Sequence, residues 1–281
     1  AVGGAPCVFC AVVISGEKTD EKAVRQSIVQ ARTSEEYVVK PFIHAVEDAN
    51  GVLQSLEFPN ADQFNFAFDC VDAIAAKYPE KLAMLHLDHN KTERRFTFED
   101  MSRASSRAAN YFKALGIKRG DRVMLVLKRH YQFWFAILGL HKLGAVAIPA
   151  TNQLQAHDFS YRFNAAGISA IVCTADGDAA RQVELAEAES PTLTTKILVG
   201  GSRPGWRDFD QEYTMYRSKF ERTADAPCGE DLMLMFFTSG TTGYPKIAAH
   251  NYKYALGHYI TAKYWHLSLI HISEPTRPEP I

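Results

Sequence analysis

The chain has 281 residues, 47% hydrophobic and 22% charged, with a formal net charge of −1, the composition of a globular chain with apolar material for one large or two small cores. A near-neutral balance without a long basic run excludes electrostatic capture of nucleic acid or anionic lipid as the main function. No stretch reaches the ~18 apolar residues of a membrane span. The five cysteines, Cys7, Cys10, Cys70, Cys173 and Cys228, are odd in number and scattered. That pattern fits a reducing compartment, and a cytoplasmic location is expected. Cys7 and Cys10 have the spacing of half a zinc site or a redox pair, but no second Cys/His pair follows at a suitable distance and their neighbours are apolar, so the spacing reads as chance. The chain opens on Ala1 and its first fifteen residues lack a basic leader region, so the start reads as a truncation.

In chain order, residues 1–60 read as an irregular extension without an assigned role: an apolar start, a polar helical candidate at 21–32, and a link through Gly51 and Pro59. From Phe64 onward short apolar runs alternate with amphipathic ones, the pattern of βαβ units and a mainly parallel sheet. A helix is expected over 68–77, ended by Pro79, and a strand over 82–87. Thr97 with Asp100 is close to a capping box and starts a helix running to Leu115, which Gly116 stops. The series continues with a strand at 123–127, a helix at 131–142, a strand at 145–148 closed by Pro149, and a helix at 157–165. A strand at 170–173, a helix at 178–188 and a strand at 196–199 complete it. Lys128, Arg129 and His130 are the densest cationic spot and read as a solvated loop after a strand. Trp134, Ile137, Leu138 and His141 form one helix face and read as core packing.

The stretch that carries chemistry is Thr238, Ser239, Gly240, Thr241, Thr242, Gly243, Tyr244, Pro245 and Lys246, directly after the apolar run 232–237. Its glycines allow positive φ and let amide N–H groups approach an anion without an intervening Cβ. Pro245 fixes one dihedral before Lys246, whose ammonium can sit over the same oxyanions. A plain turn between strands needs neither so many hydroxyls nor a closing lysine. The spacing Gly-x-x-Gly-x-x-Lys is not the Gly-x-x-x-x-Gly-Lys of a Walker A loop.

This string resembles the signature loop of the adenylate-forming superfamily: acyl-CoA synthetases, peptide-synthetase adenylation domains and luciferases. Two distant stretches resemble the same family, the turn 115–123 (Leu-Gly-Ile-Lys-Arg-Gly-Asp-Arg-Val) and the helix and strand over 135–149. They extend the resemblance over about 64–266. The flanks of the loop, among them Phe236, Phe237, His250 and Tyr252, look most like short- and medium-chain acyl-CoA synthetases. Residues 267–277 (Leu-Ser-Leu-Ile-His-Ile-Ser-Glu-Pro-Thr-Arg) resemble the in-frame translation of a transposon-end sequencing adapter. The implied organisation is an extension at 1–60, a partial AMP-binding domain at 61–266 and a non-native tail at 267–281.

The resemblance implies an α/β fold, part of the large N-terminal domain of an adenylate-forming enzyme, with mainly parallel sheets flanked by helices. It implies ATP, Mg²⁺ and coenzyme A as cofactors and a small carboxylic acid as substrate, with no nucleic-acid partner. Thr238, Ser239, Gly240, Thr241, Thr242, Gly243 and Lys246 would clamp the β- and γ-phosphates, Lys246 acting as the catalytic cation. His250 reads as a packing or solvent-facing histidine rather than a ligand. The family's adenine site, Mg²⁺-binding Glu, hinge and C-terminal Lys follow the loop and have no counterpart before His266, so the chain alone is expected to be inactive. A peptide-synthetase adenylation domain and an aryl-CoA ligase share the loop and stay open as alternatives.

Overall fold

The computed structural model describes residues 11–13, 38, 40–88, 90–238 and 243–261. The helical candidate at 21–32, the Cys7/Cys10 pair and the segment 267–281 lie outside them.

The N-terminal part is more regular than its sequence suggests. Strand β1 (Ala11–Val13) pairs parallel with β4 (Leu82–Leu87), which pairs antiparallel with β5 (Glu93–Thr97). Strands β2 (His44–Glu47) and β3 (Leu53–Glu57) form a separate antiparallel hairpin. The β2–β3 and β4–β5 turns are built alike. Asp48 Oδ1 accepts the amides of Asn50 and Val52 at 2.9 and 3.0 Å, and Asp88 Oδ1 accepts those of Asn90 and Thr92, both at 2.9 Å. An aspartate that bonds the backbone two and four residues on closes a turn without tertiary help.

The helix expected over 68–77 comes in two pieces, a wide π-type turn at Ala67–Asp72 followed by α1 (Ala73–Lys77). Asp72, at the junction, accepts a 2.8 Å hydrogen bond from the ammonium of Lys142. Helix α2 (Phe98–Ala114) starts on the expected capping box: Thr97 Oγ1 accepts the Asp100 amide and Asp100 Oδ2 accepts the Thr97 amide. Each bond satisfies a donor that the first helical turn would otherwise leave unpaired.

The remaining elements alternate as expected, with boundaries shifted by one or two residues: β6 (Arg122–Val126), α3 (Gln132–Leu143), β7 (Val146–Pro149), α4 (Ala156–Ala166), β8 (Ile168–Thr174), α5 (Ala179–Glu187) and β9 (Thr195–Val199). A short β10 (Arg207–Asp208) and α6 (Phe209–Glu212) precede β11 (Leu232–Thr238), β12 (Lys246–Asn251) and α7 (Tyr254–Ile260). The large sheet has seven strands in the order β10-β9-β8-β6-β7-β11-β12. Neighbouring strands run parallel except β11 and β12, which form an antiparallel pair at one side.

Helices cover both faces, which explains why the central strands are apolar throughout rather than alternating. Val123 and Leu125 pack with α2 and α3; Met124 and Val126 pack with α4 and α5. Helices α2 and α3 touch at Gly139, where an added Cβ would lie 2.8 Å from Ala108 Cβ and 2.9 Å from the Ala109 amide nitrogen. Only glycine permits that approach. Ile137, Leu138 and His141 are buried and Trp134 packs against the same core. Lys128 and Arg129 are exposed in the loop after β6, while His130 is half-buried with its Nε2 2.7 Å from Thr174 Oγ1.

Candidate functional site

The apolar run 232–237 is the body of β11, and the chain returns along β12 in antiparallel register. Phe237 lies opposite Ile247, and Thr238 opposite Lys246. Residues directly opposite in such a pair project to the same face of the sheet. The candidate hydroxyl and the candidate cation therefore share one face at the mouth of the connecting segment. Both residues are exposed. Thr238 Oγ1 donates a long 3.4 Å hydrogen bond to the Lys246 carbonyl, a weak contact that helps hold the mouth of the hairpin.

Of the seven residues expected to clamp phosphate, the hairpin sets Thr238 opposite Lys246, and Gly243 lies in the segment that joins them. Ser239, Gly240, Thr241 and Thr242 lie outside the described residues. Gly243 has φ +97°, and a Cβ built there would meet no atom of the described residues within 4 Å. That backbone conformation favours glycine by itself.

Two residues that the sequence did not single out hold the hairpin from one side. Helix α4 buries Phe159 and Phe163 fully against the sheet. That leaves Tyr161 and Arg162 on its flank, half-buried. The Tyr161 hydroxyl donates to the Pro245 carbonyl at 2.9 Å, and its ring stacks on Tyr244 with centroids 4.5 Å apart and an interplanar angle of 18°. The Arg162 guanidinium lies 5.3 Å from the centroid of the Phe237 ring. It is fixed in turn by a 3.1 Å ion pair with Asp158, whose other oxygen accepts the Gln155 amide at the start of the helix. The signal available in the sequence was two large side chains set off the apolar Phe159/Phe163 stripe.

On the other face of the hairpin His250 is half-buried, with ring centroids 4.2 Å from Tyr254 and 5.7 Å from Phe236. It packs in an aromatic cluster, as expected. Among the described residues no group of three or more His, Cys, Asp and Glu side chains could hold a metal ion. A hydroxyl, a glycine backbone and a lysine are donor types that suit an anion.

A mainly parallel α/β sheet flanked by helices is the fold expected of an adenylate-forming enzyme. Residues 71–274 match the family model of AMP-binding enzymes, and the chain belongs to that family. It is 35% identical over 215 residues to the mitochondrial acyl-coenzyme A synthetase ACSM5 of Mus musculus, a match covering 74% of this chain and 36% of the relative. The corresponding protein of Homo sapiens is 34% identical over 212 residues, covering 73% and 36%. Among solved structures, an acyl-CoA synthetase of Brucella canis superposes with a TM-score of 0.58 at 26% identity, covering 69% of this chain and 34% of that one. The chain thus spans about a third of the length of the curated relatives it matches.

These relatives correct one expectation. The cytoplasmic location does not stand, because the similar synthetases are named as mitochondrial. Unpaired cysteines report a reducing environment without saying which compartment supplies it. Cys70 and Cys173 are buried free thiols, and burial pushes the Cys173 thiol up to about 12, so neither is chemically informative.

Proposed function

We propose that the protein of which this chain is part is an AMP-forming acid–CoA ligase acting on a small carboxylic acid, and that the β11–β12 hairpin is its clamp for the β- and γ-phosphates of ATP. A carboxylate is a poor electrophile because its charge repels nucleophiles and oxide is a bad leaving group. In the proposed reaction a carboxylate oxygen attacks the α-phosphorus of ATP, the bond to the β-phosphate oxygen breaks, and pyrophosphate departs. The thiol sulfur of CoA then attacks the acyl carbonyl, loses its proton to solvent, and AMP leaves. The charge accumulating on pyrophosphate is the electrostatic load, and donors fixed where that charge develops lower the barrier.

The observation that carries this reading is the register that puts Thr238 opposite Lys246 at the mouth of the loop, with Gly243 at φ +97° in the segment that joins them. In this reading Lys246 supplies charge, Thr238 a hydroxyl, and the glycines backbone amides, with Ser239, Gly240, Thr241 and Thr242 completing the cradle. Mg²⁺ would accompany ATP and neutralise part of its charge; its protein ligands belong to family motifs that follow the loop. The organisation proposed from the sequence, an extension at 1–60, the AMP-binding part at 61–266 and a non-native tail at 267–281, goes with this reading. So does a mitochondrial location, by likeness to the named relatives.

The test is carboxylate-dependent exchange of labelled pyrophosphate into ATP by the full-length protein, followed by thioester formation with free CoA. Exchange that depends on a short or medium fatty acid supports the proposal, and thioester formation distinguishes it from a peptide-synthetase domain. The absence of exchange with every acid tried, aryl acids included, would sink it.

A further inference from the structure

Helix α4 touches the hairpin at three points, on both of its arms. On the leading arm Arg162 covers the Phe237 ring, one residue before Thr238. On the returning arm the Tyr161 hydroxyl holds the Pro245 carbonyl, one residue before Lys246, and its ring stacks on that of Tyr244. Pro245 has no amide hydrogen, so its carbonyl is its one backbone hydrogen-bonding group. The ring of Tyr161 also meets Phe237 edge-on, with centroids 6.3 Å apart, so one side chain contacts both arms. The helix is itself rigidly based, because Phe159 and Phe163 are fully buried beneath these residues.

We propose that Tyr161 is a positioning residue of the phosphate loop: its hydrogen bond to Pro245 and its stack on Tyr244 set the returning arm, and hence the Lys246 backbone, before nucleotide arrives. The proposal rests on the phosphate-clamp reading above. A glycine-rich loop costs entropy to order when it closes on an anion, and a support that fixes one end in advance lowers that cost. Tyr161 touches no substrate in this scheme. Its contribution is to binding of the triphosphate, while Lys246 contributes to the charge developed in the transition state.

The experiment is Tyr161→Phe in the full-length protein, which keeps the ring and removes only the hydroxyl. Two measurements are made, amide hydrogen exchange without nucleotide and steady-state ATP–pyrophosphate exchange. Faster amide exchange is expected in 243–247 with β8 (Ile168–Thr174) unchanged, and the KM for ATP should rise about three- to tenfold, the range spanned by one neutral hydrogen bond, with kcat within about twofold. Amide exchange and KM equal to the wild type would overturn the proposal. So would faster amide exchange throughout the sheet, which would make Tyr161 a residue of general stability. If the wild-type protein shows no pyrophosphate exchange, the proposed activity fails, and local amide exchange decides the role of Tyr161 by itself.

Discussion

Lys142 and Lys246 sit in opposite kinds of surroundings. Lys142, near the end of α3, has a side chain with no solvent exposure, and its ammonium bonds Asp72 Oδ1 at 2.8 Å and Ser106 Oγ at 2.9 Å. Its neighbour His141 is buried with both ring nitrogens unpartnered, while the His141 carbonyl accepts bonds from Asn65 and from the Tyr252 hydroxyl. Lys246, at the mouth of the hairpin, is exposed, and the structure fixes its backbone. A cation already satisfied inside the protein has little left to offer a ligand, whereas one held by its main chain keeps its charge available. Under the proposed function, the α3 end should therefore govern stability and the hairpin chemistry.

The largest expected effect probes the first half of that division. Burial lowers the pKa of His141 from 6.5 to about 3. Between those values the unfolded chain binds a proton that the folded chain refuses, so stability is complete above pH 6.5 and lost as pH falls toward 3. The loss is on the order of 5 kcal/mol at the bottom of the window. Urea unfolding from pH 7 to 4 should show a steeper decline for wild type than for His141→Leu; parallel curves would contradict the burial. Next is Lys142→Ala, which removes the cation from Asp72 and leaves it the 2.6 Å bond from Ser102 Oγ. Since the Asp72 side chain is 25% exposed, the cost should fall near the low end for a broken buried pair, about 3 kcal/mol. Lys142→Met should cost less, and a wild-type midpoint for Lys142→Ala would remove the distinction between the two lysines.

The hairpin should behave the other way. Lys246→Ala should lower carboxylate-dependent pyrophosphate exchange about 10- to 150-fold, the value of one charge-assisted contact, with the urea midpoint unchanged. A shifted midpoint with normal exchange would reverse the assignment. The smallest effect is expected from Gly243→Val, where strain at positive φ is worth about 1–2 kcal/mol. Because no atom of the described residues lies within 4 Å of the added Cβ, Gly243→Ala should already show most of the backbone part of the loss in exchange.

What the sequence disclosed and what it hid divide along chain distance. The capping box at Thr97 and Asp100 is three residues wide, so local chemistry identifies it, and the string proposed to hold phosphate is likewise uninterrupted in the sequence. The alternation of β6 through β9 is likewise periodic and local. The Lys142–Asp72 pair spans 70 residues and the Tyr161–Pro245 bond 84, and no periodicity in either helix announces a partner so far away. The β2–β3 hairpin is a different omission. Its Asp48-Ala49-Asn50-Gly51 turn is a local signal, yet the strands beside it are short and mostly exposed, so they lack the apolar alternation by which strands are found.

The antiparallel register of β11 and β12 limits what lengths the loop can take. Side chains alternate faces along a strand, so shifting Lys246 by one position relative to Thr238 would send its ammonium to the opposite side of the sheet. The segment between them can therefore exchange one residue type for another while its length stays fixed. A single-residue insertion or deletion there would have to be absorbed as a bulge or would invert the cation, even if every glycine and hydroxyl survived. Among homologous loops, gaps between these two positions should be far rarer than substitutions.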